Sequence, residues 1–190
     1  MSDIRGKDST GYWKDVRLSD NGDLLLVTGK LVNATTTKAL AATTDYAAED
    51  VLADAGATAW RFRNVVSVEQ GSGVIVQAQA LLTTTALTPR VTLYLFEATP
   101  TATLTDNAAN TALLAADLIN RVGRIDFLAM EDLGTGMSES VITTSTYGNL
   151  PVYFTLESGR DLYGIAVTRD AITGEAAGMK LTFKLSILQM

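Results

Sequence analysis

The chain has 190 residues, with hydrophobic residues at 47%, charged residues at 19% and a net charge of −6 at neutral pH. That length suits one domain, or one domain with an arm, and the apolar fraction excludes disorder along the whole chain. Histidine and cysteine are both absent, which removes the usual general base, the commonest metal ligand, the thiolate nucleophile and every disulfide.

The start of the chain, from Met1 to Asp8, is charged and small, with no apolar segment of the kind a secretory signal needs. Residues 1–22 read as an arm: polar, rich in Gly and Asp, with no sustained period. Tyr12 and Trp13 stand out in it, either packing under the domain edge or anchoring a partner. Asp20-Asn21-Gly22 is a turn signal, because Asn and Gly tolerate positive φ. Leu24 to Val27 then reads as a short strand, so 14–32 reads as a hairpin. Such apolar runs are far too short to cross a bilayer. The Thr/Ala-rich stretch from Asn33 to Ala42 is a linker or an edge strand. Residues Tyr46 to Leu52 look weakly helical, ending at Asp54-Ala55-Gly56.

From Ala57 the alternation of apolar and polar residues sharpens. Strands are expected at Trp60 to Val65, at Val74 to Leu82 after the Gln70-Gly71-Ser72-Gly73 turn, and at Arg90 to Phe96. The last of these is apolar on both faces and is expected at the centre of a sheet. Residues 99–110 form a loop, and the spacing of Leu113, Leu114, Asp117 and Leu118 predicts two to three helical turns over Ala112 to Ile119. Further strands follow at Arg124 to Leu128, Ser140 to Thr144, Val152 to Leu156, Leu162 to Thr168 and Met179 to Leu188. In the last, Leu181, Phe183, Leu185 and Ile187 share one face, while Lys180, Thr182, Lys184 and Ser186 share a wet one. About eight to nine strands at regular spacing predict an all-β jelly-roll or other Greek-key β-sandwich with one short helix and an extended N-terminal arm. The division expected is an arm, hairpin and linker over 1–42 and a sandwich over 43–190.

The chemistry-bearing motifs are thin. A Ser-His-Asp or Cys-His set is excluded, and no Ser-x-x-Lys occurs. Gly29-Lys30 lacks the rest of a phosphate loop. Asp20-Asn21-Gly22-Asp23 fails the calcium-loop spacing. Asp126, Glu131, Asp132 and Glu157 supply carboxylates for a glycosidase pair, though solvated charges explain them better. Tyr147, Tyr153 and Tyr163 are candidate sugar-stacking rings, with sheet packing the simpler account. Scattered cations in an acidic chain argue against nucleic acid as a partner. The absence of cysteine fits synthesis in a cytoplasm. No enzyme activity, cofactor, metal or membrane partner is expected.

Several segments together resemble a family of small phage virion proteins. They are Tyr46-Ala47-Ala48-Glu49-Asp50-Val51, Trp60-Arg61-Phe62, Gly71 to Val76, Leu93 to Asn107 with its Pro-Thr-x-Thr-x-x-Asp-Asn run, and Leu162 to Arg169. The resemblance spans residues 43–190 and is to head decoration, or cement, proteins on the outer face of tailed-phage capsids. It implies a jelly-roll-like body, a homotrimer, no catalytic residues, and the major capsid protein as partner. It also implies an arm gripping the capsid, in which Tyr12, Trp13, Lys14, Val16 and Leu18 would be the docking residues. The alternative is a tail or receptor-binding sandwich that recognises glycans through loop aromatics.

Overall fold

The computed structural model describes residues 29–41, 44–145, 149–174, 176 and 178–190, together with the backbone of two short upstream strands. These are β1 (Arg5–Lys7) and β2 (Trp13–Asp15), which form a two-stranded antiparallel sheet of their own. The other elements are β3 (Lys30–Ala39), β4 (Val51–Leu52), β5 (Trp60–Phe62), β6 (Ser72–Leu82) and β7 (Val91–Phe96). They continue with α1 (Ala115–Leu118), β8 (Arg121–Phe127), β9 (Glu131–Asp132), β10 (Ser138–Thr143), β11 (Val152–Thr155), β12 (Leu162–Thr168) and β13 (Lys180–Gln189).

Sheet I runs β3-β13-β6-β10-β9, with β11 on the same edge of β6 as β10. Sheet II runs β4-β12-β7-β8, with β5 beside β4 on β12. Every pairing is antiparallel. With β4 and β5 counted as one broken strand, and the short β9 and β11 set aside, the two sheets have eight principal strands among the described residues. The first pairs with the last, β3 with β13, and the second with the seventh, β4/β5 with β12. The third pairs with the sixth, β6 with β10, and the fourth with the fifth, β7 with β8. One long hairpin has been rolled up so that its strand pairs alternate between two sheets, which is a jelly roll.

Side-chain alternation builds the core between the sheets. Leu181, Phe183, Leu185 and Ile187 of β13 face Trp60, Phe62, Leu93, Leu95 and Ile125 of sheet II, all buried. Trp60 stands edge-on to Phe183 at 4.7 Å between ring centroids, and its Nε1 donates to the Leu52 carbonyl at 2.9 Å. Gly164 of β12 lies where this packing is tightest. A Cβ there would come within 2.7 Å of Leu93 Cδ1 and 3.4 Å of Trp60 Cβ. Gly164→Ala is therefore expected to cost about 1–3 kcal/mol by overpacking, read as a lower urea midpoint at unchanged slope.

Sheet II is covered on both faces. Tyr94, Phe96, Ile165 and Val167 form a second apolar cluster with Leu104 and Ala112 from the long β7–β8 connection. This extra layer explains why all six residues of β7 are buried. Asp106 pins the connection in place. Its carboxylate accepts from Ala41 N (2.9 Å), Ala53 N (2.7 Å) and Tyr46 Oη (2.8 Å). Asp117 holds the other end, accepting from Thr101 N and Oγ1, both at 2.9 Å.

Several local expectations are corrected. The helix over Ala112 to Ile119 shrinks to the single turn of α1, because Ala112 is spent in the second cluster and Asp117 on Thr101. Residues Tyr46 to Leu52 are not helical. Tyr46 bridges Ile172 and Val51–Leu52 pairs with β12. The Thr/Ala-rich stretch is the edge strand, since β3 pairs with β13 through all ten residues in an unbroken register. Sheet I begins at Lys30. The hairpin expected over 14–32 falls largely outside the described residues.

Candidate interaction surface

The outer face of sheet I has no covering layer among the described residues, in contrast to sheet II. Its register arranges side chains in rows across the strands. Thr37, Thr182, Leu81 and Glu139 form one row, and Thr35, Lys184, Gln79 and Val141 the next. Asn33, Ser186, Gln77 and Thr143 form a third. Polar neighbours knit the rows: Thr37 Oγ1 to Thr182 Oγ1 at 2.8 Å, Ser186 Oγ donating to Asn33 Oδ1 at 2.8 Å, and Gln79 Nε2 donating to Glu139 Oε2 at 2.7 Å. At one end the pattern turns apolar, with Leu31, Leu188, Val74 and Tyr153 in line. Leu31 is 60% exposed and Tyr153 70%, far more than a ring or an isobutyl group buried in a sheet.

The β3 edge is open as well. The Leu40 N–H donates to the Met179 carbonyl at 2.8 Å. Hydrogen-bonding direction alternates along an antiparallel strand, so Val32, Ala34, Thr36 and Lys38 also point at β13. Leu31, Asn33, Thr35, Thr37 and Ala39 present their N–H and C=O groups outward. Among the described residues no strand pairs there. One inward charge guards the far end of this edge, a device that limits strand addition. The Lys38 ammonium is buried, donates to Thr58 Oγ1 (2.6 Å) and Thr58 O (2.5 Å), pairs with Asp54 at 3.1 Å and stands over the Trp60 ring. Burial holds its pKa below the ordinary 10.5 in spite of Asp54.

A second feature is an open groove of about 550 Å³ at the end of β7 and β8, lined by Glu49, Arg90, Thr92, Arg124, Asp126 and Arg169 among others. Arg169 ties it together, donating to Thr92 Oγ1 (2.8 Å) and Tyr94 Oη (2.7 Å) and pairing with Glu49. Asp126 accepts from Thr92 Oγ1 (2.8 Å) and Asn149 Nδ2 (2.6 Å) and pairs with Arg124 at 3.1 Å. Arg90 pairs with Asp170 at 2.6 Å. Each cation here already faces a carboxylate. Such a groove is a balanced ion-pair lattice, without a surplus charge to draw an anion or a free carboxylate to take a proton.

The expected site residues are scattered or undescribed. Trp13 and Lys14 lie in β2, opposite Lys7 and Gly6, while Tyr12, Val16 and Leu18 lie outside the described residues, as do Tyr147 and the Asp20-Asn21-Gly22 turn. Asp126 sits on β8, Glu131 and Asp132 on β9, and Glu157 beyond β11. Tyr163 packs at the edge of the second cluster beside Arg61. The Leu31–Tyr153 row went unseen in the sequence because its members come from four strands that only the fold brings side by side.

Acid sensitivity follows from the ion pairs. Hydrogen bonds from Arg90 pull the Asp170 carboxyl below its ordinary 3.8. At Asp54 burial opposes, but bonds from Thr58 and Lys38 win and also lower it. Both depressed values contribute stability above 3.8 that is lost as pH falls through the folded pKa values. With no histidine to titrate, the melting temperature is expected to stay level from about pH 5.5 to 8 and to fall below about pH 4. Calorimetry across that range checks it, and a step near pH 6.5 would contradict it.

No family model matches the chain, and no curated protein matches it. Among solved structures it is similar to a chain from the X-ray structure of tomato aspermy virus, with 12% identity, 85% of this chain and 78% of that one covered, and a TM-score of 0.32. It is also similar to a chain from a full particle of Israeli acute paralysis virus heated to 63 degrees, with 11% identity, 85% and 71% covered, and a TM-score of 0.28. The jelly-roll assignment rests on this chain's own strand order.

Proposed function

We propose that this protein is a non-enzymatic virion structural protein, a capsid decoration subunit of a tailed phage that self-associates and binds the major capsid protein. One observation carries the reading: among the described residues, a jelly roll with both faces of sheet II covered leaves the outer face of sheet I and a ten-residue edge strand open. An open edge is a template for an extended segment of another protein. The family resemblance of residues 43–190 points the same way. The arm, through Tyr12, Trp13, Lys14, Val16 and Leu18, is proposed to add the second grip, on the outside of the capsid. Synthesis is proposed to take place in the host cytoplasm and assembly to give a homotrimer. Deleting residues 1–22 is expected to abolish cosedimentation with purified matching capsids; undiminished binding would remove the arm from the account.

The exposed Tyr153 ring favours one second reading, a glycan-recognising tail module. Glycan-array binding lost in Tyr153→Ala, with no capsid binding, would support it over decoration.

A further inference from the structure

Sheet I sorts its charges by side. β3 and β13 carry Lys30, Lys38, Lys180 and Lys184 and no carboxylate. β6, in the middle, carries no charge at all, and neither does β11, which pairs with β6 on the β10 side. β9 and β10 carry Glu131, Asp132 and Glu139 and no cation. Lys38 is turned inward and neutralised by Asp54. Lys30, Lys180 and Lys184 remain, and among the described residues no carboxylate pairs with them. Lys184 lies beside Thr35 and Lys180 beside Ala39, one strand in from the open β3 edge. Glu139 lies beside Glu131, one strand in from the opposite edge. Both carboxylates of β9 are exposed and Glu139 is half-buried.

We infer that copies of this chain associate head to tail through sheet I, the lysine-bearing β3/β13 side of one copy meeting the carboxylate-bearing β9/β10 side of the next. The two sides are complementary to each other and each is repulsive to itself. A two-fold contact that sets β3 against β3 would bring like charges together, so the charge pattern selects a heterologous contact. The row of threonines and the outward backbone groups of β3 give that contact hydrogen-bonding capacity without adding like charge. Sheet II does not share the polarity, since β8 carries Arg121 and Arg124 beside Asp126. The contact is therefore confined to sheet I. This inference stands on the strand order and needs no capsid; it names the sides that meet, and it fails or succeeds on the isolated protein.

Sedimentation velocity of the purified full chain tests it. The native protein is expected to form a multimer that weakens as salt rises from about 0.05 to 0.5 M, where screening becomes short-ranged. Lys180→Glu with Lys184→Glu is expected to raise the dissociation constant about tenfold or more, and so is Glu131→Lys with Asp132→Lys and Glu139→Lys. All five substitutions in one chain reverse the charge of both sides at every one of these positions except Lys30, and are expected to restore association to within about threefold of native. None of these side chains belongs to the core, so the near-ultraviolet spectrum of buried Trp60 should stay native in every variant. A native chain that stays monomeric at about 0.1 mM, single-side reversals that leave association intact, or a five-fold variant that remains dissociated would each overturn the inference.

Discussion

Replacing Trp60 by alanine should lower stability by about 4–5 kcal/mol, the largest effect expected of any single side chain in the body. Trp60 has no exposed surface and lies in the most constrained part of the core. Truncation removes the edge-on contact with Phe183, the hydrogen bond to the Leu52 carbonyl and the ring beneath the Lys38 ammonium. The last two losses add to the cavity: a buried carbonyl loses its donor, and a buried cation loses the aromatic face that partly solvates it. Trp60→Phe should recover about half of the loss, because it keeps a ring against Phe183 but not the donor. Urea unfolding of both variants checks this. A cost under about 1 kcal/mol for alanine would show that the core is not organised around this ring.

Asp106→Ala should be the second most damaging change, at about 3–4 kcal/mol, although the residue is only half-buried. Its carboxylate accepts two backbone N–H groups and the Tyr46 hydroxyl, from three separate segments. Removing it leaves donors at buried Ala53 and Tyr46 without this acceptor and unfastens the β7–β8 connection from sheet II. Charge-assisted bonds of this kind contribute more than neutral ones, so Asp106→Asn should cost clearly less than alanine. Hydrogen exchange should localise the damage to residues 99–113, with the core of β6 and β13 keeping its protection. Uniform loss of protection would contradict the role of Asp106 as a local fastener.

Strands whose chemistry alternates over many residues were legible in the sequence. β13 and β6 appear within two residues of their expected limits, because period-two alternation survives whatever the neighbours are, and β12, apolar and buried along nearly all its length, appears with its expected limits, Leu162–Thr168. The burial of β7 on both faces was also readable, although its cause, a covering loop and not a second sheet, was not. What failed was short or context-bound. β4 and β9 are two residues each and exist only through their partners β12 and β10. The helix over 112–119 had the right spacing, but Leu114, at its N-cap, offers no side-chain cap, and tertiary contacts claim the flanking residues. The Thr35–Thr37 run was legible as edge-strand chemistry.

The interaction surface was legible only in fragments. Lys30 and Lys184 are separated by most of the chain, and Glu139 lies between them in sequence. Nothing in a linear reading says that the first two share one side of a sheet and the third the other. The rolled hairpin pairs the first strand with the last, and that pairing turns scattered charges into two opposed sides. The same pairing joins Leu31 to Leu188 and, through β6, to Tyr153.

The most direct test of the capsid role is a saturation titration of purified matching empty capsids with the full-length protein, counted by quantitative gel densitometry after cosedimentation. Decoration predicts a plateau at a fixed number of copies set by the capsid lattice, with no further uptake at higher concentration. Binding that never saturates, or protein that stays in the supernatant at every concentration, would contradict it.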